Sequence, residues 1–324
     1  MTEWLLYRGN GDPHDEIARL PPPPPWRTYS TDLPLYRPDL TTAGKPPAAA
    51  LSGRYIVSQT TVEMVNTALY LRRPLLVMGS PGTGKTTLAY AIAHELMLGP
   101  VLRWPITSRT TLQDGLYRYD AVGRLEQAQL GQHSDVGPFV RLGPLGTAML
   151  PTVRPRVLLI DELDKSDIDL PNDLLEIFEE GSFRIPELAR SADDADAQVF
   201  VHDINQRAAV RHGMVACAAF PIVVMTSNGE RDFPPAFLRR CIRLALPRPD
   251  EAMLTQIIES HLGADLAAQS ESLIIEFIAR GEYSELATDQ LLNAVYLANS
   301  LGVHDAIDSR HLADRVLQRL SELD

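Results

Sequence analysis

The chain has 324 residues, a formal net charge of −12, 45% apolar residues and 22% charged residues. That length suits two domains, or one large domain with a smaller appendage. The acidic balance excludes the overall basic footprint of a nucleic-acid binder. No apolar run is long enough to span a bilayer, and no basic patch leads into an apolar stretch at the N-terminus as in a secretory signal. The two cysteines, Cys217 and Cys241, stand in apolar company and read as buried small hydrophobes, which fits a reducing cytoplasm.

Residues 1–50 differ from the rest. Their "RLPPPPPWRTYSTDLPLYRP" interleaves proline with Trp26, Tyr29 and Tyr36. Five consecutive prolines favour an extended polyproline II rod and forbid helix. A surface strap and a docking segment for a partner protein both meet that description.

From Tyr55 onward, short apolar runs alternate with helical patterns. Strands are expected at Arg73 to Ser80, Val101 to Ile106, Arg156 to Glu162, Phe220 to Asn228 and Cys241 to Pro247. "KTTLAYAIAHELM" carries Leu88, Ala91, Ile92 and Leu96 at helical spacing, and Leu170 to Gly181 reads as a helix closed by glycine. Strands separated by helices imply a parallel sheet covered on both faces. After "LPRPDE" (Leu246 to Glu251) only helical patterns remain. They are marked by Met253, Leu254, Ile257 and Ile258, by Leu273, Ile274, Phe277 and Ile278, by Leu291, Leu292, Val295 and Ala298, and by Leu312, Val316, Leu317 and Leu320. The expected domains are therefore a proline-rich extension (1–50), an α/β nucleotide-binding domain (51–247) and a small all-helical lid (248–324).

"GSPGTGKTT" comprises Gly79, Ser80, Pro81, Gly82, Thr83, Gly84, Lys85, Thr86 and Thr87, and satisfies the phosphate-loop pattern in full. Its glycines let backbone N–H groups turn onto phosphate oxygens. Lys85 supplies a point charge for the outer phosphates of ATP, and the Thr86 hydroxyl a ligand for Mg²⁺. "VLLIDE" then brings Asp161 and Glu162 out at the C-terminal end of a buried strand, the edge where open parallel sheets bind ligands. Asp161 is expected to hold the hydrated Mg²⁺ and Glu162 to polarise the attacking water. Asn228 ends the fourth strand. If that strand lies between the first and third, Asn228 points at the same water; otherwise it is a turn former ahead of Gly229.

These residues, together with "VLLIDELDKSDIDLPNDLLEIFEEGSFRIPE" and "VVMTSNGERDFPPAFLRRCIRL", resemble AAA+ ATPases and, within them, the MoxR group. The resemblance runs from about Tyr55 to the C-terminus. It implies a P-loop NTPase fold with a five-stranded parallel sheet in order 5-1-4-3-2, helices on both faces and a following helical lid. It implies adenine contacts at Ile56 and Val57. It makes Arg240, with Arg239 second, an arginine finger that enters a neighbouring subunit's site; the alternative is pairing with Glu230 or Asp232. A finger given to a neighbour implies a homo-oligomeric, hexameric ring. Where many relatives carry a lid arginine, this chain has Asp289 and Gln290, with Arg280 as one substitute.

Two inserts remain. In the first, Phe139, Leu142 and Leu145 are expected to be exposed on a loop facing a pore. In the second, "VFVHDI" is expected to form a hairpin with an acidic tip near Asp193, Asp194 and Asp196. The resemblance implies an ATP hydrolase that remodels a partner protein, a von Willebrand factor A (vWA) domain protein by analogy. Two other readings stay open. One is a nucleic-acid motor using the scattered Arg103, Arg109, Arg118 and Arg124, which the net charge opposes. The other is a slow ATP-dependent assembly switch.

Overall fold

The structure is a computed structural model that describes residues 4–29, 32–39, 54–130, 135–190, 196–203, 206–281 and 287–300. Its centre is a parallel sheet built from the five apolar runs. These are β1 (Leu75–Met78), β2 (Leu102–Pro105), β5 (Val157–Asp161), β10 (Ile222–Ser227) and β11 (Ile242–Ala245). Their spatial order is β11-β1-β10-β5-β2, which is the expected order 5-1-4-3-2. The register sets Leu75 beside both Val224 and Ile242, and Leu158 beside both Val223 and Leu102. Burial follows position. The inner strands β5 and β10 are buried throughout, while the outer strand β2 alternates buried and exposed. Strands covered on both faces need continuous apolar runs, whereas an edge strand tolerates alternation.

Helices α1 (Gln59–Leu71) and α2 (Lys85–Glu95) cover one side. They share a core with Leu75, Val77, Val157, Leu159 and Val224. The opposite face packs α6 (Leu170–Glu180), closed as expected by Gly181 at φ +64°. The insert between β2 and β5 forms α3 (Leu112–Leu116), β3 (Tyr117–Tyr119), α4 (Ala121–Gln129), β4 (Val140–Leu142) and α5 (Pro144–Ala148). The insert between α6 and β10 forms β6 (Ser182–Arg184), α7 (Pro186–Ala189), β7 (Ala197–Phe200), β8 (Arg207–Val210) and β9 (Met214–Ala216). The two inserts join in one four-stranded sheet, β3-β4-β7-β8.

That joint sheet corrects the expected pore loop. Leu142 and Leu145 are buried in the main core, on the inner side of this sheet and of α5, and Phe139, in the turn just before β4, is buried as well. Among the described residues of the insert, the exposed large apolar side chains are instead Val122, Leu125 and Leu130, on and just after α4, a helix with no buried residue, and Val153 ahead of β5. The acidic stretch is corrected too. The hairpin is β7 paired with β8, and Asp196 lies before β7, ion-paired with Arg211 at 2.9 Å. Asp193 and Asp194 lie outside the described residues. Both cysteines are buried, and burial pushes each thiol up to about 12, so neither is a reactive thiolate.

Beyond β11, α8 (Pro235–Leu238) having preceded that strand, the chain forms α9 (Glu251–Leu262), α10 (Ala264–Gln269), α11 (Glu271–Gly281) and α12 (Thr288–Ser300). They enclose their own apolar cluster of Leu254, Ile258, Leu273, Ile274, Phe277, Leu291 and Val295. The short α10 has no counterpart in the sequence reading. The helix expected around Leu312, Val316, Leu317 and Leu320 lies outside the described residues.

Residues 4–29 and 32–39 are tied to the core. Asn66 on α1 accepts from the N–H groups of Leu6 and Tyr7 and donates to Tyr7 O. Glu95, at the end of α2, accepts from the N–H groups of Arg8, Gly9 and Gly11. Gly9 and Gly11 take positive φ to make this concave arrangement, a conformation that side chains resist. Arg27 donates to Phe178 O, and Tyr29 stacks on Phe220 with centroids 5.1 Å apart. Trp26 stays exposed. Glu95→Ala would strand three part-buried donors, each costing about 1 kcal/mol. A stability loss of about 3 kcal/mol is expected, seen as a fall in Tm of roughly 6–12 °C, and Glu95→Gln should recover most of it.

Candidate functional site

The chain from Gly79 to Thr87 leaves β1 and enters α2 as a tight loop. Gly82 and Gly84 sit at φ +74° and +82°, and both are closely covered. A Cβ on Gly82 would lie 2.4 Å from Ala287 Cα, and one on Gly84 2.7 Å from Tyr55 Cε2. Lys85 folds over the loop, its Nζ donating to the carbonyls of Gly79 and Ser80 at 2.8 Å each. Burial lowers the Lys85 pKa, opposed by the charges of Asp164, Asp161 and Glu162.

A cavity of about 490 Å³ opens over this loop. Pro81 to Thr87, Asp161, Glu162 and Asn228 line its polar end. Ile56, Pro249, Met253, Ile257 and Leu292 add apolar lining, with Arg54, His261, Thr288 and Asp289 among them, so the helical unit contributes to the cavity wall. Ile56 stands where an adenine contact was expected. Val57 does not line the cavity; it faces the strap, its Cγ2 2.1 Å from where a Cβ on Gly9 would be. A ligand with an apolar ring and a chain of anionic groups fits this lining.

Asp161 ends β5 with both oxygens engaged. Oδ1 accepts from Thr86 Oγ1 and Thr226 Oγ1, each at 2.9 Å. Oδ2 accepts from Arg103 Nε at 3.1 Å and Nη2 at 2.7 Å. The facing Thr86 hydroxyl and Asp161 carboxylate are hard oxygen donors of the kind Mg²⁺ takes. Among the described residues no cluster of His, Cys, Asp or Glu forms an all-protein metal cage.

Glu162 adopts φ +62°, ψ +49°, a left-handed turn costing roughly 1–2 kcal/mol for a non-glycine residue. Thr226 holds it there, its hydroxyl accepting from Glu162 N at 2.8 Å while donating to Asp161. The Glu162 carboxylate is half exposed and pairs with Lys165 at 3.0 Å, which raises the Lys165 pKa. β10 lies between β1 and β5, which sets Asn228 at the cavity wall beside Glu162.

Three partners escaped the sequence reading. Arg103 pairs in register with Leu159, two residues before Asp161, and so lies on the carboxylate's face. Thr226 sits two residues ahead of Asn228. Asp164 is buried, and its Oδ2 accepts from the N–H groups of Asn228 at 2.9 Å and Glu230 at 3.1 Å. Asp164 thereby ties the turn that carries Asn228 to the segment that carries Glu162. The spacing of "DELD" and the "TS" of "MTSN" were the available signals.

Asp289 lines the cavity at the start of α12, and Gln290 accepts from Ala287 N. Cations reach this rim from elsewhere: Arg54 lines it and Arg248 donates to Ser80 Oγ. The side chain of Arg280 lies outside the described residues. Arg239 and Arg240 follow α8. Arg240 Nε pairs with Glu179 of α6, so the acid it meets is neither Glu230 nor Asp232. Neither arginine lines the chain's own cavity.

The family model described as AAA domain (dynein-related subfamily) matches residues 74–241. The chain belongs to that family. This AAA+ ATPase domain covers four strands of the parallel sheet, β1, β2, β5 and β10, stops just before β11, and includes the phosphate loop, Asp161, Glu162 and Asn228. AAA+ proteins bind nucleotide, typically with Mg²⁺, and are typically oligomeric. No curated protein matches the chain. Among the described residues no helix is long and apolar enough to cross a membrane.

Proposed function

We propose that this AAA+ protein is a cytoplasmic, ring-forming ATPase of the MoxR type, hexameric, which couples ATP hydrolysis to remodelling of a partner protein. By the resemblance of its phosphate-loop, "IDELDKS" and "AFLRR" segments, the partner is a vWA-domain protein. Glu162 polarises water, Asn228 orients it, and Lys85 and the loop N–H groups carry the phosphate charge. Thr86 and Asp161 would hold Mg²⁺, which when bound would offset the phosphate charge. Arg103 and Thr226 position the Asp161 carboxylate.

One observation carries the reading. The cavity gathers a loop lysine, two strand-end acids and an asparagine, while the paired arginines of the "AFLRR" turn point away from it. A second, more open cavity of about 440 Å³ meets the first at Glu162. It leaves room for a group from outside the chain to approach that residue. A site lacking its finger in cis is completed only by assembly. Turnover per protomer is therefore expected to rise steeply with protein concentration and then level off. A rate per protomer that stays flat from nanomolar to micromolar chain would refute the ring requirement.

The nucleic-acid alternative loses one of its four arginines. Arg103 is committed to Asp161.

A further inference from the structure

The joint sheet β3-β4-β7-β8 carries a row of cations that the nucleotide chemistry does not use. Register places Arg118 opposite Arg141, Arg141 opposite Phe200, and Phe200 opposite Arg207. Residues paired in register point to the same side of a sheet. One exposed line therefore runs across all four strands, holding three guanidinium groups and one phenyl ring. Strand spacing makes the line about 14 Å long.

The other side of the sheet cannot exchange with it, since Tyr117, Leu142, Val199 and Ala208 are buried in the core. The arginines are arranged rather than scattered. Arg141 and Arg207 both lie over the Phe200 ring, their Cζ atoms 4.8 and 4.4 Å from its centroid. Arg141 also donates to Val201 O at 3.2 Å. Arg118 and Arg141 are like charges directly opposite each other, an arrangement that disfavours the sheet. Arg118 pairs with Asp114 at 3.4 Å, and both side chains are exposed. Among the described residues no carboxylate forms an ion pair with Arg141 or Arg207. In a chain of net charge −12, a cationic row left this open is a place for an anion from outside.

We infer that this row is a docking surface for an acidic, extended segment of a partner protein. Guanidinium groups bind carboxylates in a planar, bidentate way, and a row of about 14 Å accommodates roughly four extended residues. The chemistry favours carboxylates over a nucleic-acid strand. Single strands need open aromatic faces for base stacking, and here guanidinium groups cover the Phe200 ring. A long polyanion would also meet the acidic remainder of the chain. This inference rests on the reading that the chain acts on a partner protein, but it does not depend on ATP turnover.

The test is fluorescence anisotropy with the full chain and three labelled probes: a 12-residue alternating Glu-Ser peptide, its Lys-Ser counterpart and a 12-nucleotide oligo-dT. The Glu-Ser peptide is expected to bind in 50 mM NaCl and to weaken at least about tenfold at 300 mM. Arg141→Glu with Arg207→Glu should cost at least about tenfold more, and the glutamine pair an intermediate amount. Reversing the distant exposed Arg243 should cost nothing. Unchanged circular dichroism and unchanged ATP turnover in the paired variants would show an intact fold. No Glu-Ser binding by the parent chain, or binding indifferent to the reversal, overturns the inference. So does tighter oligo-dT binding that the reversal abolishes, and so does a reversal that breaks up the assembly in mass photometry. Reversal-sensitive peptide binding in a parent chain that never hydrolyses ATP would leave this surface standing and remove the ATPase reading alone.

Discussion

Glu162→Gln is expected to bind ATP within about threefold of the parent chain and to hydrolyse it at least 10²-fold more slowly, the scale of a lost general base. The substitution keeps the side chain's size, so the loop, Lys85 and the apolar lining of the cavity are untouched. It removes the lone pair that takes the proton from water. Binding of a fluorescent ATP analogue and release of phosphate separate the two effects. Turnover above a tenth of the parent rate would remove Glu162 from the role. Glu162→Gly adds a sharper reading. The residue sits at φ +62°, where glycine is at ease and glutamate is not. The glycine variant should therefore lose turnover just as fully while its Tm stays level or rises. That pair of results would mean that Glu162, pinned in an unfavourable backbone conformation by the Thr226 hydroxyl, is held there for its chemistry rather than for stability.

How much of this was legible beforehand depended on where the information lies. The phosphate loop and the "VLLIDE" strand are contiguous, and each apolar run ends on a residue that marks its exit from the core. They could be read directly, and the five strands with them. The order of those strands came from resemblance, since nothing local in an apolar run such as "IVVMTS" says which neighbour each strand takes. The partners of Asp161 were not legible for the same reason. Arg103 reaches it through cross-strand register and Thr226 through the neighbouring strand. The small sheet failed for a different cause. Strands of three or four residues are too short to show a period, so Leu142 looked like loop when it was core. In the first 39 residues, proline content masked Leu5, Leu6 and Tyr7, which are buried against α1. Their anchors, Asn66 and Glu95, are polar residues on helices, and nothing in the helical spacing singles them out.

Arg240→Ala is expected to lower turnover by about 10³-fold or more, the scale of a missing finger, with nucleotide affinity unchanged. The affinity should hold because Arg240 does not line the chain's own cavity. Mixing with Lys85→Ala separates trans from cis action. In a mixed ring the Arg240→Ala protomer offers an intact cavity, and its Lys85→Ala neighbour offers an intact arginine. Activity should return toward a fraction set by the number of such pairs. Arg239→Ala is the comparison: its Nε is occupied by Pro235 O and its carbonyl by Arg73, so its loss should be the smaller of the two. Glu179→Ala addresses what holds Arg240 in the lone chain. The pair is half exposed on both sides, and such pairs contribute about 0–1 kcal/mol. Its removal should leave the Tm nearly unchanged and free the guanidinium to turn to a neighbour. No recovery in the mixture, with co-assembly shown by mass photometry, would mean that Arg240 serves only its tie to α6.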